Sequence, residues 1–334
     1  MRETSFLERT VNSVLLKYPL KNKEWKENLK ALVTGGAGFI GSHLVDALLA
    51  DGCEVVIYDN LSRYGTDKIN HMTVKDLRLI KGTILNKEAL TRVVMPHTDV
   101  VFHFAAEREV WKGIKDPEHD LLTNALGTVN VLEACRRADI EKLVYASSAG
   151  VYGEAWYTPQ DEGHPLDPQW PYGVSKLAGE KYCDAYAKMY GLKTVSLRYS
   201  IVYGPREWYG RVLTRFIERV AKGLPPIIYE GATENTRDFI HIGDAIDATI
   251  KAWKKDMSGA FNVGSGVGVQ VGDLAKTVIR LSGQKLTPII ANSTDRKPAE
   301  LKNLVLNIDK AKLLLDWSPQ RKLGDWIKES LKTL

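Results

Sequence analysis

The stretch that decides the fold is Thr34–His43, TGGAGFIGSH. It follows the apolar run ALV and leads into a helical pattern, and its glycines match both G-x-G-x-x-G and a related spacing of three. Such glycines permit a tight turn and let backbone N–H groups approach a pyrophosphate at the start of a helix. Asp59 ends the next strand pattern, EVVIYD, where a carboxylate accepts from both ribose hydroxyls and repels a 2′-phosphate. The segment therefore predicts a dinucleotide site that prefers NAD to NADP.

Short apolar strands alternate with helical patterns from Lys30 onward, which is typical of a parallel sheet with helices on both faces. We therefore predict an α/β protein with a Rossmann-type doubly wound sheet over residues 29–195, and a return segment at about 238–263. After that the alternation loosens, which predicts a smaller α/β substrate-binding domain over 196–334. Residues 1–28 form an N-terminal extension, whose amphipathic spacing favours a helix packed on the main body over one that binds a partner or a membrane surface.

The composition of the 334 residues limits the class of protein. A hydrophobic fraction of 44% and a net charge of +5, with interleaved acids and bases, predict a globular protein that does not bind nucleic acid. The apolar runs are too short to predict a membrane span, and scattered histidines predict no metal site. The three separated cysteines indicate free thiols in a reducing compartment, so we expect a cytoplasmic location.

A second motif, PYGVSKLAGEKY, places Tyr172 and Lys176 four residues apart at the start of a predicted helix. A tyrosine acts as a base at neutral pH only if its pKa falls by about 3 units. One lysine ammonium and the positive nicotinamide ring supply this shift in a desolvated cleft. A Tyr-x-x-x-Lys pair alone is more often structural. Ser147 and Ser148 at the end of the strand KLVYASS, together with the glycine motif, favour a catalytic group.

These motifs together resemble the extended short-chain dehydrogenase/reductase family, and within it the nucleotide-sugar epimerases and dehydratases, most closely UDP-glucose 4-epimerases. The resemblance runs from about residue 30 to the C-terminus and includes TGGAGFIGSH, VFHFAA, YASSAGVYG, PYGVSK, LRYSIVYGPR and TRDFIHIGD. It implies that Tyr172 takes a proton from a sugar hydroxyl, that C4 gives hydride to NAD⁺, and that Ser148 hydrogen-bonds the same oxygen. Lys176 is then the ribose-binding lysine.

The family pattern also implies further binding residues. The predicted NAD-binding residues are Gly35, Gly38, Phe39, Ile40, Gly41, Asp59, Asn60, Ala105, Ala106, Tyr172 and Lys176. The predicted residues for a nucleotide-sugar substrate are Asn124, Ser148, Arg206, Arg237, Lys297 and Glu300. Helix capping is the alternative role for Asn124, and surface ion pairs are the alternative for Arg206 and Arg211. Where many relatives have Asn and Asp, this chain has Ile201 and Thr83.

The residues after Ser148 bear on the reaction type. Related dehydratases carry an Asp-Glu pair there and related uronate decarboxylases a Glu, whereas this chain has Ala149 and Gly150. Elimination needs a proton taken from C5 and another given to the departing hydroxyl, and epimerisation needs neither. The sequence therefore favours 4-epimerisation, with dehydration, decarboxylation and uronate 4-epimerisation as alternatives. Glu107 is the candidate substitute acid, and a non-catalytic NAD-binding scaffold is the alternative from another class.

The resemblance also implies a partner. Predicted helices containing residues 120–138 and 172–190 carry apolar faces, and the equivalent helices of the family pair across a dimer. We therefore expect a homodimer.

Overall fold

The computed structural model describes residues 29–62, 77–94, 98–207, 211–292 and 301–334. The N-terminal extension lies outside these residues. The strands are β1 Lys30–Thr34, β2 Glu54–Asp59, β3 Leu77–Lys81, β4 Val100–His103, β5 Lys142–Ser148, β6 Lys193–Tyr199, β7 Ile201–Tyr203, β8 Ile227–Tyr229, β9 Thr236–His241, β10 Gly259–Val263, β11 Gly268–Gln270, β12 Ile289–Ala291 and β13 Asn303–Leu304. The α-helices are α1 Phe39–Ala50, α2 Lys87–Val93, α3 Val110–Lys115, α4 Pro117–Asp120, α5 Gly127–Arg137, α6 Pro171–Tyr190, α7 Val212–Ala221, α8 Ile242–Lys254, α9 Val271–Ser282, α10 Asp309–Leu315 and α11 Leu323–Thr333. A π-helix, Leu121–Leu126, joins α4 to α5, and a 3₁₀ turn, Ala149–Val151, follows β5.

The main sheet has the strand order β10-β6-β5-β4-β1-β2-β3, with all pairs parallel. The central strands are apolar on both faces because helices cover both, as expected for a parallel sheet. The order reverses between β1 and β4, where a doubly wound sheet binds its ligand at the carboxyl ends of the strands. The structure therefore confirms the predicted α/β doubly wound fold.

The helices bury two cores against this sheet. On one face α1 and α8 pack together around residues such as Leu44, Leu48 and Ile246. On the other face α2, α5 and α6 bury Leu90, Leu132 and other side chains. The patterns FIGSHLVDALLA and NVLEACRRA predict these helices because their apolar residues recur at the helical period.

A second sheet begins where the chain leaves β6. β7 follows β6 after Ser200 and pairs with β9, which also pairs with β11 and β13. Helices α7, α9 and α11 pack around a third apolar core that includes Phe216 and Leu274. The chain then returns to the main sheet, where α8 covers one face and β10 forms an edge strand. Within the predicted return segment at about 238–263, β9 belongs to the second sheet. The domain boundaries expected from the sequence stay a prediction.

Among the described residues, no helix is both long and apolar enough to cross a bilayer. The same residues contain no group of three or more His, Cys, Asp or Glu side chains arranged to hold a metal ion.

Candidate active site

A cleft lies at the carboxyl ends of β1, β2, β4 and β5, and the glycine motif forms one wall of it. Gly35 has a φ of +70°, and a Cβ there would lie 2.5 Å from the Ala105 backbone nitrogen. Its N–H donates to the Tyr58 carbonyl at 2.9 Å. A Cβ on Gly41 would collide with the Gly35 carbonyl. The glycines are therefore needed for the left-handed turn and for close packing of α1 on the turn.

Helix α1 begins at this turn with its first N–H groups open to an anion. Gly38 is the N-cap residue and has no side chain to cap the helix, so the first-turn N–H groups have no side-chain partner. Gly38, Phe39, Ile40 and Gly41 all line the cleft. An uncapped helix N-terminus on a glycine turn fits the pyrophosphate of a dinucleotide.

Asp59 lies at the end of β2, on the wall of the cleft beside Asn60. Its carboxylate accepts from the Ala37 N–H at 3.1 Å and from the Leu61 N–H at 2.8 Å. Burial raises the pKa of this carboxyl, and both backbone bonds lower it. The carboxylate is therefore held next to the glycine turn, where the predicted ribose contact requires it.

Ala105 and Ala106 follow β4 and also line the cleft, as does Thr83 on the opposite side. The Tyr58 hydroxyl donates to the Thr83 carbonyl at 3.0 Å. The NAD-binding residues predicted from the sequence therefore lie along one cleft, and they fit the cofactor in shape and in hydrogen-bonding character. Their roles as ligands stay a prediction.

Ser148 and Tyr172 meet at the end of this cleft. Ser148 ends β5, its Oγ accepts from the Gly150 N–H at 3.1 Å, and both Ser148 and Tyr172 line the cleft beside Gly150. Burial raises the pKa of the Tyr172 phenol, while the Ser148 hydroxyl and the charges of Arg211 and Arg108 lower it. Both arginines line the cleft. A phenol that lies in one cleft with a serine hydroxyl and two cations is suited to accept a proton from a bound alcohol.

Lys176 lies one helical turn after Tyr172 and is only 3% exposed. Its ammonium donates to the Ala146 carbonyl at 2.7 Å and lies 4.9 Å from the centre of the Tyr145 ring. Burial lowers its pKa to about 8, and the charge of Asp120 opposes that shift. In this structure the charges of Arg211 and Arg108 lower the Tyr172 pKa, and the expected contribution of Lys176 together with the nicotinamide ring stays a prediction.

The neighbouring Ser147 has a different environment. Its hydroxyl donates to Glu180 at 2.5 Å, and Glu180 forms a buried ion pair with Arg198, with Nη2 and Oε2 2.7 Å apart. Arg198 also donates to the Tyr152 hydroxyl at 3.0 Å. Ser147 is thus engaged in a network beneath the cleft, and Ser148 is the serine that meets Tyr172.

The two residues after Ser148 bring no acid to the site. Ala149 is buried in the apolar core. A Cβ on Gly150 would lie 3.3 Å from Ser148 Oγ and 3.8 Å from the Tyr172 ring. Position 150 therefore faces the serine and tyrosine pair, and a side chain there would enter the space beside them.

Glu107 lines the cleft, but its carboxylate is engaged within its own loop. Oε1 accepts from the backbone N–H groups of Arg108 at 3.0 Å and Glu109 at 3.1 Å. Oε2 lies 2.7 Å from the Lys112 ammonium. Both oxygens thus hold the loop that presents Arg108, which does not favour Glu107 as the substitute acid.

Asn124 lies behind this loop, in the π-helix, and does not line the cleft. Its side chain accepts from the Glu107 N–H and donates to the Glu107 carbonyl, both at 2.8 Å. It also donates to Asp120 at 3.1 Å. In this structure the amide positions the Glu107 loop, and the substrate contact expected from the sequence stays a prediction.

The other predicted substrate residues lie at varying distances from the cleft. Arg206 pairs with Asp46 at 2.5 Å and contacts His43, so a surface ion pair describes its geometry better than the predicted substrate contact. Arg237, on β9, donates to the Thr236 carbonyl at 3.0 Å and is not part of the cleft wall. Lys297 and Glu300 lie outside the described residues. Arg108 was not predicted from the sequence, although it directly follows Glu107 after the strand VFHF.

Comparisons with known proteins agree with this geometry. The model of the NAD dependent epimerase/dehydratase family matches residues 31–264. A protein of Methanocaldococcus jannaschii with a provisional name of UDP-glucose 4-epimerase is 38% identical over 303 residues, which cover 89% of this chain and 95% of that protein.

Solved structures show the same similarity. UDP-glucose 4-epimerase of Thermotoga maritima, solved with UDP-glucose, is 32% identical with a TM-score of 0.84, over 91% of this chain and 98% of the other. UDP-glucuronic acid 4-epimerase of Bacillus cereus, solved with UDP-glucuronic acid and NAD, is 33% identical with a TM-score of 0.82, over 91% and 99%. The chain therefore belongs to the NAD-dependent epimerase/dehydratase family, and NAD is its cofactor.

Proposed function

We propose that this protein interconverts the C4 epimers of a UDP-hexose, such as UDP-glucose and UDP-galactose, through a transient 4-keto sugar. The observation that carries the proposal is that Ser148 and Tyr172 line the same cleft beside Gly150, with Ala149 and Gly150 where an eliminating enzyme needs acids. Relatives named UDP-glucose 4-epimerase, which match along most of their length, support it.

The proposed chemistry uses a proton relay at one sugar oxygen. Tyr172 accepts the proton of the C4 hydroxyl while Ser148 donates a hydrogen bond to the same oxygen. Arg108 and Arg211 favour the phenolate, because positive charge lowers the pKa of a phenol. When the keto sugar is reduced again, Tyr172 returns the proton to the C4 oxygen. In the product this oxygen lies on the opposite face of the sugar ring.

NAD, when bound, supplies hydride transfer at C4. The residues that would hold it are the first turn of α1 with its glycine turn, Asp59, and Lys176 on the ribose. The Lys176 ammonium is anchored on the Ala146 carbonyl, which fixes its direction within the cleft. A buried ammonium in a low-dielectric site acts strongly on nearby charge.

Among the described residues next to Ser148 and Tyr172, none offers a carboxyl group that could donate the proton needed for elimination. Ala149 and Gly150 offer none, and the Glu107 carboxylate is engaged by two backbone N–H groups and Lys112. A keto sugar formed at this point of the cleft is therefore not helped to expel the C6 hydroxyl. Instead, the keto sugar rotates in the cleft and is reduced on its other face, which is the outcome that distinguishes an epimerase from a dehydratase.

A second candidate substrate is a UDP-hexuronate. Arg108 and Arg211 line the cleft close enough to Tyr172 for their charges to lower its pKa, and a carboxylate on C6 is a natural counter-ion for an arginine. The Bacillus cereus relative is named a UDP-glucuronic acid 4-epimerase. The two arginines are the observation that favours a uronic acid as the sugar.

We also propose a cytoplasmic homodimer. Helix α6 exposes Val174, Tyr182 and Met189, the last at 68%, and the adjoining π-helix exposes Leu121 and Leu126. These two elements pack side by side, so their exposed apolar side chains belong to one face. Such a face is suited to pair with its copy around a two-fold axis.

The proposal is tested by proton NMR of the NAD-loaded protein with UDP-glucose, UDP-N-acetylglucosamine and UDP-glucuronate in separate tubes. We expect the anomeric signals of the galacto isomer to grow until equilibrium, with no net NADH. Tyr172→Phe is the control, since it should bind the same ligands without turnover. A 4-keto-6-deoxy sugar, or a pentose with loss of the carboxylate, would contradict epimerisation, and equilibration of UDP-glucuronate alone would select the second candidate.

A further inference from the structure

A buried carboxylate lies between the two sheets, outside the machinery described above. Asp238, on β9, is 0% exposed, and burial raises the pKa of its carboxyl. Its Oδ1 accepts from the Ser200 and Ser265 hydroxyls at 3.3 and 2.7 Å and from the Ser265 N–H at 2.7 Å. Its Oδ2 accepts from the N–H groups of Gly266 at 3.1 Å and Leu306 at 3.2 Å. All of these donors are uncharged.

The donors come from three separate parts of the chain. Ser200 lines the cleft at the point where β6 of the main sheet ends and β7 of the second sheet begins. Ser265 and Gly266 form the turn after β10, the strand that returns to the main sheet. Leu306 follows β13, which pairs with β9. One carboxylate therefore joins the edge of the catalytic cleft to the second sheet.

The surroundings of Asp238 are shaped for a carboxylate. A Cβ on Gly264 would lie 2.5 Å from Asp238 Oδ2, so a glycine is needed for the turn to close around it. Each oxygen faces at least one backbone N–H, and an amide in either orientation would direct its NH₂ at a donor. Burying a charge without a counter-ion costs free energy, and here the hydrogen bonds from neutral donors offset that cost.

Arg237, the predicted phosphate-binding residue, immediately precedes Asp238 on the same strand. Its guanidinium contacts the Lys302 carbonyl at 3.3 Å, and the Thr236 N–H donates to the same carbonyl at 2.8 Å. Arg237 is thus tied to the segment that contains Leu306, which Asp238 also holds. Asp238 thus connects the strand that carries the arginine to Ser200 on the cleft wall.

We propose that Asp238 is a positioning residue for the nucleotide diphosphate, because it fixes the strand of Arg237 relative to the catalytic cleft. This inference rests on the proposed function, which supplies a nucleotide diphosphate as the substrate. A residue with this role sets substrate affinity more than the chemical step, since Tyr172, Ser148 and Lys176 do not contact it.

The chain offers a matched control in Asp244, on α8. Its carboxylate is 1% exposed and is bound to Arg321, by the backbone N–H at 2.9 Å and by Nη1 at 2.5 Å. It does not line the cleft. Asp244→Asn therefore removes a buried carboxylate of similar exposure, and it reports what a purely structural loss does.

The test measures the Kd of UDP by calorimetry, and KM and kcat with UDP-glucose, on NAD-loaded wild type, Asp238→Asn and Asp244→Asn. We expect Asp238→Asn to raise the Kd of UDP and the KM about tenfold while kcat changes less than about twofold. Asp244→Asn should lower the midpoint of thermal unfolding and leave Kd and KM within about twofold. Ser265→Ala removes one donor and should raise the Kd of UDP by a smaller factor. If Asp238→Asn does not fold, this variant tests the positioning role instead.

The UDP titration separates this inference from the proposed function, because it needs no turnover. A wild type that binds UDP without epimerising any sugar would overturn the proposed function, and the Kd values would still judge Asp238. An unchanged Kd in Asp238→Asn, an equal loss in Asp244→Asn, or a wild type that binds no UDP would each overturn the positioning role.

Discussion

Replacing Gly35 by alanine tests the cofactor cradle, and the structure gives the size of the effect. Gly35 has a φ of +70°, where a residue with a Cβ is less stable by about 1 to 2 kcal/mol. The new Cβ would also lie 2.5 Å from the Ala105 nitrogen. An ordinary contact needs about 3.5 Å, so the turn or the opposite wall must move by roughly 1 Å. With overpacking of about 1 to 3 kcal/mol, the free energy of unfolding should fall by about 2 to 5 kcal/mol.

The same displacement should weaken NAD binding, because both sides of the cleft are lined by the atoms that must move. A misplacement of about 1 Å in a preorganised site costs about 100-fold, or about 2.7 kcal/mol of binding free energy. The assay is calorimetric titration of NAD into protein stripped of cofactor, together with urea unfolding of the same samples.

Gly52→Ala is the matched control. Gly52 has a φ of +80° and nothing within 4 Å of its Cβ position, so it shares the backbone strain without the collision. It should lose about 1 to 2 kcal/mol of stability and keep the NAD affinity of wild type. If Gly35→Ala matched Gly52→Ala in both measurements, the glycine turn would not be what holds the cofactor.

Further predictions concern the base, the buried lysine and the exposed face of α6. Tyr172→Phe should slow turnover about 10²- to 10⁴-fold in the NMR assay while NAD stays bound, and a rate within tenfold of wild type would remove Tyr172 as the base. The pKa of Lys176 is lowered to about 8, so its ammonium is present below that pH and is lost above it. The pH profile of kcat/KM should accordingly fall from about pH 8 upward, and a flat profile to pH 9.5 would contradict the role of its charge. Met189→Asp and Val174→Asp place charges on the exposed face of α6, so sedimentation should show monomers where wild type shows dimers; a monomeric wild type would contradict the dimer.

The NAD-binding half of the fold could be predicted because its signals are local. The glycine turn needs a left-handed residue and close packing at fixed spacings, and the strand that ends at Asp59 is a continuous apolar run. Tyr172 and Lys176 share a helix face, so their proximity also follows from the sequence. These requirements act between residues near in the chain, and the structure places them as expected.

The substrate side could be predicted less well because its outcome depends on distant partners. Whether Arg206 meets a phosphate or Asp46 is decided by how the loop after β7 packs on α1, and the sequence holds no sign of that pairing. The family pattern implies a substrate contact for Asn124, yet the loop at Glu107 takes up its amide and Asn124 does not line the cleft. Asp238 lies in the stretch TRDFIHIGD, but its role could not be predicted, since its donors come from three remote segments.

The core of the proposed function is that the sugar is oxidised and then reduced at C4 within one cleft. The most direct test is to supply UDP-glucose deuterated at C4 to the NAD-loaded protein in ordinary water and to follow the product by NMR. We expect UDP-galactose that retains the deuterium at C4, with no keto sugar or NADH released at the end. Loss of the label to solvent, or a product altered at C5 or C6, would contradict this chemistry.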